Sequence, residues 1–369
     1  MLNALEVLGL TLALAHFTVP LAYYAYARLK WLKKPWNLSI DENYKPKVTV
    51  IIPTYNESKL IEKKLDNVYE QDYSKELMEI VVVDSASMDG TPRLVEEWAS
   101  RHKDVELKLV VETERRGKAF ALNNALRYAS GEVIVIADAD ALWPRDALTK
   151  VVKWLSNPLV GAVSCLKKPL GSGATGVEVG YRQYYNVLRV AESKAYSTPI
   201  FHGELAAFRR DLLEKVGGFP TDIGADDSHT ATKIALMGFR AIVPDDLWVD
   251  EMVPKEKYFS WRVRRAQHLI QHFARTLKNV KQTPEEFKKI LLAESFLHIL
   301  NPLLLLASVA MLIVSALAVS LLTLAVLAVG IGLFVVKPYK TWVFLQLSLV
   351  MATLRNLKSK EIVWSKQIK

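Results

Sequence analysis

The chain of 369 residues carries 48 Lys and Arg against 39 Asp and Glu, a formal net charge of +9, and one cysteine, Cys165. A single cysteine excludes an intramolecular disulfide framework and a cysteine metal cluster, and we expect Cys165 to be a small buried residue of a strand. Because much of the positive charge flanks apolar segments, it indicates a membrane surface and phosphate-bearing substrates, and no nucleic acid.

The first predicted element is an N-terminal transmembrane helix. Residues 7–27 contain no charged side chain and are long enough to span a bilayer. A cleaved signal peptide is the alternative, but the basic residues follow the apolar run, which favours a retained anchor. By the positive-inside rule, this basic flank places residues 28–295 in the cytoplasm and the N-terminus outside; it consists of Arg28, Lys30, Lys33 and Lys34.

Strands and helices alternate in the segment that follows. Apolar, β-rich runs predict strands at 47–53, 79–84, 105–112 and 132–138, and helical patterns separate them at 58–71, 91–102 and 117–129. Continuous apolar strands alternating with helices predict an α/β fold with a mostly parallel sheet covered on both faces. Ligands bind beyond the carboxyl ends of the strands in such sheets.

Polar loops follow three of these strands, namely PTYNES after the first, DSASMDGT after the second and DAD after the fourth. The last loop places Asp138 and Asp140 at the mouth of a buried strand. Two carboxylates so close repel each other, and burying them is costly unless positive charge lies between them. A divalent cation would supply that charge, whereas two solvated loop aspartates are the alternative interpretation.

Two later segments, 180–196 and 258–273, have a basic and aromatic pattern that predicts amphipathic helices at the membrane surface. His268 and His272 stand four residues apart in the second, a spacing typical of zinc ligands. Because no third ligand is within reach in the sequence, we favour the membrane-surface helix over a metal site.

The C-terminal region predicts further membrane helices. Residues 295–336 contain no charged side chain, a run of roughly 60 Å as helix, which is about two crossings of the hydrocarbon core. We expect spans near 296–315 and 317–336, which makes about three transmembrane helices in all. Residues 341–358 predict another interface helix, and a fourth span stays open as an alternative.

Six motifs, in order and spacing, resemble the family 2 glycosyltransferases with a GT-A fold. They are VTVIIPTYNES, IVVVDSASMDGT, RRGKAFALNNAL, VIVIADADA, HGELAAFRRDLLEKVGGFP and GADDSHTATKIALMGFR. With the flanking helices, the chain resembles a small relative of the cellulose and hyaluronan synthases. The resemblance implies a transmembrane helix (1–30), a Rossmann-like GT-A catalytic domain with interface helices (46–290), and two transmembrane helices with an interface helix (291–369).

The resemblance also implies roles for individual residues. Asp138 and Asp140 would hold Mn²⁺ or Mg²⁺ against the diphosphate of the donor, where the cation stabilises the leaving group. Asp227 would be the general base, with Asp226 as its acidic neighbour, and a single base without a covalent nucleophile implies inversion. The nucleotide would be bound by Pro53, Thr54, Tyr55, Asn56, Glu57, Asp84, Gly117 and Lys118.

The segment YFSWRVRRAQHLIQHF corresponds to a motif of the polymer-making members, but it departs from their pattern. Arg265 stands where their tryptophan stacks on the growing chain, which favours the addition of one sugar over processive synthesis. Arg262, Arg264 and Arg265 are assigned to the donor, the first two to its diphosphate. On the acceptor side the resemblance places His202, Gly203 and Glu204.

These assignments predict a multi-pass enzyme of the cell membrane that acts in glycan biosynthesis. It would move a hexose from a GDP- or UDP-sugar to an acceptor carried on a polyprenyl (dolichyl) phosphate. Mannose is preferred through a weaker resemblance to the dolichol-phosphate mannosyltransferases. A processive polysaccharide synthase, a polyprenyl-phosphate monosaccharide synthase and a non-catalytic nucleotide-sugar sensor are the alternatives.

Overall fold

The computed structural model describes residues 3–171, 176–318 and 320–361. Within these ranges, apolar and β-branched runs form the strands, and the four predicted strands agree with the observed ones to within two residues at each end. The strands are β1 (Val48–Thr54), β2 (Met78–Asp84), β3 (Glu106–Val111), β4 (Val133–Ile136), β5 (Ala141–Leu142), β6 (Val160–Ser164), β7 (Leu166–Leu170), β8 (Ala206–Arg209), β9 (Arg240–Ile242) and β10 (Trp248–Met252).

Helices cover the large sheet and form the N-terminal and C-terminal regions of the described chain. Short 3₁₀ or π-helical stretches occur at Ala27–Trp31, Lys75–Leu77, Leu277–Gln282, Phe296–Leu300 and Leu333–Val335. The α-helices are α1 (Ala4–Tyr26), α2 (Ile61–Tyr69), α3 (Thr91–Arg101), α4 (Lys118–Ala125), α5 (Ala147–Leu155), α6 (Gly176–Ala195), α7 (Arg210–Lys215), α8 (Asp226–Leu236), α9 (Tyr258–Thr276), α10 (Glu285–Ser295), α11 (Asn301–Leu317), α12 (Leu321–Gly332) and α13 (Lys337–Asn356).

Seven strands of the described residues form one sheet in the order β3-β2-β1-β4-β8-β6-β9. Neighbouring strands are parallel except for β8, which runs antiparallel to both β4 and β6. A smaller sheet in the order β5-β10-β7 lies beside it. The expected mostly parallel α/β fold is therefore confirmed, and the carboxyl ends of β1, β2 and β4 meet at one edge.

Hydrophobic clusters fill both faces of the large sheet. Alternate residues of one strand serve the two faces, as in β1, where Ile51 joins one cluster while Val50 and Ile52 join the other. All three are fully buried, which explains why β1 reads as a continuous apolar run. Cys165 is also fully buried, as predicted, although it lies between β6 and β7 and not within a strand.

Two helices among the described residues are long and apolar enough to cross a bilayer, Ala4–Trp31 and Glu285–Leu317. They contain the spans predicted at 7–27 and 296–315, and α1 packs along α11 through a hydrogen bond from Ser308 Oγ to the Gly9 carbonyl (2.9 Å). Length and composition therefore support two membrane-crossing helices.

The second C-terminal span, predicted near 317–336, differs in the structure. The helical segment Leu321–Val335 is only about 22 Å long, shorter than the ~30 Å hydrocarbon core. It meets Lys337–Asn356 at an angle of 106°, and the two make a third span only if the bent pair is taken as one. Pro338 explains the break, because a proline in the first turn of α13 cannot continue a preceding helix.

Gly131 provides a test of how tightly the sheet packs. A Cβ atom at this position would lie 2.5 Å from the Thr49 backbone nitrogen, so backbone would have to move. We expect Gly131→Ala to lower the free energy of unfolding by about 1–3 kcal/mol, measured as a lower melting temperature in detergent. Gly176→Ala is the matched control, because among the described residues no atom outside its own helix and its chain neighbours lies within 4 Å of its Cβ position. Equal melting temperatures for the two variants would contradict the described packing.

Candidate active site

A cavity of about 300 Å³ opens where β1, β2 and β4 end. Predicted site residues from five separate stretches of the sequence line it, and Asp84 contacts one of them, Thr54. The structure thus brings the predicted site residues to one place. Those that line the cavity are Pro53, Thr54, Tyr55, Glu57, Gly117, Lys118, Asp138, Asp140, Asp226, Asp227, Arg262, Arg264 and Arg265.

Asp84 fixes the loops after β1 and β2. Its buried carboxylate accepts hydrogen bonds from Thr54 Oγ1 (2.8 Å), Ser87 Oγ (2.6 Å) and the Ser87 backbone N–H (2.8 Å). Asn56 adopts the left-handed conformation (φ 54°), and its backbone N–H donates to Ser87 Oγ over 2.7 Å. Asp84 therefore shapes the pocket from behind, because both loops close on its carboxylate.

An aromatic ring and a guanidinium form one side of the cavity. The Arg115 guanidinium carbon lies 3.8 Å from the centroid of the Tyr55 ring, within cation–π distance. Sequence reasoning selected Tyr55 but missed Arg115. Gly117 follows in the left-handed region (φ 111°) as the residue before α4, and this turn places Lys118 as the first residue of that helix.

Gly203 marks the point where the acidic residues converge. The Lys118 ammonium lies 2.6 Å from Asp138 Oδ1. A Cβ atom on Gly203 would stand 2.4 Å from the same ammonium and 3.4 Å from an oxygen of each of Asp138 and Asp227. Both carboxylates therefore come close to the same point beside Gly203, and the lysine has room there only because Gly203 has no side chain.

Two adjacent carboxylates begin α8. Burial and the neighbouring Asp226 raise the pKa of Asp227 to about 7, against the opposing effects of Lys118 and of the Ser228 N–H 2.6 Å away. Burial likewise raises the pKa of Asp226, whose Oδ2 is buried without a hydrogen-bond partner among the described residues. Asp227 can therefore exchange a proton near neutral pH.

Asp138 and Asp140 offer a divalent cation two carboxylates. In the ranges that the structure describes, no group of three or more His, Cys, Asp and Glu could hold a metal. Two hard oxygen ligands suit Mg²⁺ or Mn²⁺, which keep water and take phosphate oxygens, better than a closed zinc site. The Lys118 ammonium on Asp138 shows that positive charge is already attracted there, so the residues fit such a cation.

The two histidines with zinc-like spacing on α9 do not form a metal site in the described structure. His268 lines the cavity, while His272 is fully buried and its Nδ1 lies 3.3 Å from Nδ1 of His229 on α8. The prediction that α9 lies on the membrane surface stays a prediction. Its apolar side chains, such as Ile270, pack with Leu349 of α13, so protein covers this face of the helix.

The three arginines of α9 have different partners. Arg262 lies 3.4 Å from Glu178 and over the Tyr181 ring. Arg265 pairs with Glu204 (2.7 Å) and Glu251 (2.6 Å). Burial and then Arg265 lower the pKa of Arg264 to about 10. Asp140 acts in the opposite direction, so the charge of the aspartate pair reaches Arg264.

Lys64 is a site residue that sequence reasoning missed. It is fully buried on α2, donates to the Ala141 carbonyl (2.8 Å) and lies 4.0 Å from the Trp143 ring centroid. Burial lowers its pKa to about 7, while Asp138 and Asp140 oppose that shift. The signal in the sequence was a lysine on the buried face of α2, at helical spacing from Ile61 and Val68.

A second missed feature is the wall that α6 and α13 contribute to the cavity. Tyr181 and Tyr185 come from α6, and Trp342, Leu345 and Leu349 come from α13. The pattern of residues 341–358 predicts an interface helix, but it does not reveal that one face of this helix closes the active site. His202, Gly203 and Glu204, which were expected on the acceptor side, also line this cavity.

The family model for Glycosyl transferase family 2 matches residues 49–217. A solved mannosyltransferase from Pyrobaculum calidifontis, PcManGT in complex with GDP-Man and Mn²⁺, is 58% identical. That match covers 96% of this chain and 99% of the other, with a TM-score of 0.90. The chain belongs to the family 2 glycosyltransferases. Its GT-A fold and its class of enzyme are therefore as the motifs implied.

More distant relatives agree with this membership. Glycosyltransferase AglE of Haloferax volcanii is 30% identical over 210 residues, which are 55% of this chain and 66% of that protein. The poly-beta-1,6-N-acetyl-D-glucosamine synthase of Staphylococcus aureus is 27% identical over 67% of this chain. The match to the present chain spans less than two thirds of the length of each of these two relatives. S. aureus TarS 1–349, 22% identical with a TM-score of 0.51, shares its fold.

The raised pKa of Asp227 predicts a stability effect. A carboxyl whose folded pKa of about 7 exceeds its ordinary value binds its proton more tightly when folded, so its contribution to stability falls as pH rises from about 4 to 7. We expect Asp227→Asn to raise the melting temperature of the glycosyltransferase by several degrees at pH 8, without added metal, and by much less at pH 5.

Asp72→Asn, on the surface, is the matched control and should leave the melting temperature nearly unchanged at both values of pH. A difference between Asp227→Asn and the parent that is the same at pH 5 and pH 8 would contradict the assigned burial and charge repulsion.

Proposed function

We propose that this glycosyltransferase moves mannose from GDP-mannose to an acceptor hydroxyl, in a metal-dependent reaction that inverts the anomeric centre. The observation that carries the proposal is the meeting of Asp138 and Asp227 around Gly203, inside one cavity. The 58% identity to a mannosyltransferase solved with GDP-Man and Mn²⁺ favours GDP over UDP and mannose over other hexoses.

The donor binds along the edge formed by the first strands. Pro53, Thr54, Tyr55, Glu57 and Asp84 form the nucleoside pocket, in which Asp84 orders the loops. Asp138 and Asp140 hold Mn²⁺ or Mg²⁺, which as a Lewis acid stabilises the charge that develops on the leaving diphosphate. Gly117 and Lys118 close the same edge, and the lysine adds a fixed positive charge.

Asp227 accepts the proton of the acceptor hydroxyl as that oxygen attacks the sugar. Its pKa of about 7 suits this role, because the carboxylate is present at neutral pH yet basic enough to take a proton. Asp226 helps to set that pKa by repulsion. With one base and no covalent intermediate, the attack occurs from the face opposite the leaving group and inverts the configuration.

The acceptor is carried on a polyprenyl (dolichyl) phosphate in the membrane. Support comes from the cavity wall of α13, which follows the apolar helical region directly, and from the two candidate spans. We accordingly propose a multi-pass protein with a cytoplasmic catalytic domain at 46–290, flanked by the membrane segments 1–30 and 291–369. The basic residues after the first span favour this orientation.

The ion pairs of Arg265 favour the transfer of a single sugar over the growth of a polymer. In place of an aromatic platform for a polymer, this position carries a guanidinium held by Glu204 and Glu251. A processive synthase stays an alternative because polymer synthases are among the relatives. A polyprenyl-phosphate monosaccharide synthase differs only in its acceptor, and the same assay separates all three.

The transfer assay uses purified protein in detergent with Mn²⁺ and radiolabelled GDP-mannose or UDP-sugars. We expect mannose transfer to a polyprenyl-phosphate-linked glycan, one sugar per acceptor, and a loss of at least about 100-fold in kcat with Asp227→Asn. Long products would indicate a polymer synthase, and transfer to the bare polyprenyl phosphate would indicate a monosaccharide-lipid synthase. Unimpaired transfer by Asp227→Asn would contradict the mechanism.

The rate should depend on pH through Asp227. Because the base must be ionised, we expect kcat/KM to rise tenfold per pH unit below about 7 and to level off above it. Asp226→Asn should move the midpoint to lower pH, since it removes the neighbouring charge that raises the pKa. Asp72→Asn is the control, with an unchanged midpoint. A midpoint that stays near 7 in Asp226→Asn would refute this account of the pKa.

A further inference from the structure

Buried ion pairs continue from Glu204 along the cavity. Lys167 Nζ lies 2.9 Å from Glu204 and 3.1 Å from Glu251, and Arg265 pairs with the same two carboxylates. Arg182 joins Glu251 (2.6 Å) to Glu178 (2.8 Å), which also pairs with Arg262. We call this set the charge cluster; it consists of Lys167, Glu178, Arg182, Glu204, Glu251, Arg262 and Arg265.

The charge cluster has one cation more than it has carboxylates. Its three glutamates and Lys167 are at most 3% exposed, Arg182 and Arg262 at most 9%, and Arg265 27%, so solvent reaches the imbalance mainly through Arg265. The stretches outside the described residues contain no Asp or Glu side chain that could restore neutrality. An uncompensated charge in such a place is costly, and of the four cations only Lys167 could give up its proton to remove it, because arginine cannot.

Neighbouring groups respond to this excess of positive charge. Burial alone would raise the pKa of the Tyr181 hydroxyl, yet Arg262 and Arg182 bring it below its ordinary value. Burial, Arg182 and Arg265 likewise lower the pKa of Lys167, despite its two glutamate partners. The local field therefore favours an added negative charge.

The cavity thus has an acidic part and a basic part. The acidic part contains Asp138, which pairs with Lys118, and the two aspartates of α8, which the proposed function assigns to the cation and the proton. Five members of the charge cluster face the cavity, so a ligand can reach their side chains; they are Lys167, Arg182, Glu204, Arg262 and Arg265.

Apolar and aromatic side chains border the same cavity. Tyr181 and Tyr185 of α6 and Trp342, Leu345 and Leu349 of α13 line it together with the charge cluster. A fully hydrated inorganic anion gains little from such a wall, whereas an anion attached to a hydrocarbon chain buries apolar surface there.

We propose that the charge cluster is a second anion site of the enzyme, distinct from the donor diphosphate site, and that it binds the phosphate group of the acceptor's lipid carrier. This proposal moves Arg262 and Arg265 from the donor, where the resemblance placed them, to the acceptor. This assignment rests on the proposed function, since it names where the acceptor is held. The surplus cation balances the phosphate, the glutamates hold the guanidinium groups in place, and the apolar wall receives the first carbons of the chain.

The test measures binding of three probes by the purified protein, with Mg²⁺ and GDP saturating the donor site. The probes are inorganic phosphate, a short-chain prenyl phosphate and, at equal ionic strength, chloride. Lys167→Met removes the surplus charge and should weaken phosphate and prenyl phosphate binding at least about tenfold. Glu204→Gln raises the surplus by one and should strengthen both by a similar factor. Lys153→Met, which removes a lysine paired with Asp246 elsewhere, should change neither.

Opposite effects of the two charge variants support the site, whether or not sugar transfer is observed, so failure of the proposed function stays distinguishable. A larger gain for prenyl phosphate than for phosphate assigns the site to the lipid carrier, and equal affinities assign it to free phosphate. The site is refuted if both variants shift binding in the same direction, if neither does, or if the probes bind only when GDP is left out. Should Lys167→Met fail to fold, Glu204→Gln alone decides, because tighter binding is required of it.

Discussion

The Lys118 ammonium lies 2.6 Å from Asp138, and the charges of Asp226 and Asp227 act on the same group. Burial would lower the pKa of this lysine, but the three carboxylates hold it well above its usual range. One cation cannot neutralise them all, so the acidic part of the cavity keeps a net negative charge. Burial and this charge explain the high pKa of the base, and the charge explains the affinity we propose for a divalent cation.

The fold brings these groups together from distant parts of the sequence. Parallel strands deliver the donor loops and Asp138 to one edge, while the antiparallel β8 brings Gly203 beside Asp138. The same edge continues into α6, α9 and α13, so the charge cluster and its apolar wall adjoin the aspartates. The donor and the lipid-linked acceptor that we propose would thus meet in one cavity, the donor with its cation in the acidic part and the acceptor phosphate in the basic part.

The sequence predicted this edge well because local patterns determine it: buried strands followed by polar loops placed Asp138 and Asp140 correctly. Other features depend on contacts that no local pattern contains. The amphipathic pattern of α9 shows an apolar face but not whether lipid or α13 covers it, and a charge-free run does not show the bend before Pro338. Lys64 was missed because a buried lysine looks like a surface residue until Trp143 and the Ala141 carbonyl are in place.

The direct test of the proposed cation site is Mn²⁺ binding, measured by electron paramagnetic resonance with and without GDP. We expect the free Mn²⁺ signal to fall when the protein is added and to fall further with GDP. With the double variant Asp138→Asn, Asp140→Asn, the signal should not fall in either case. The variant should still melt cooperatively, because both side chains lie at the cavity and outside the packed core. Equal Mn²⁺ binding by the parent and this folded variant would contradict the gathering of acidic groups around a cation at this edge.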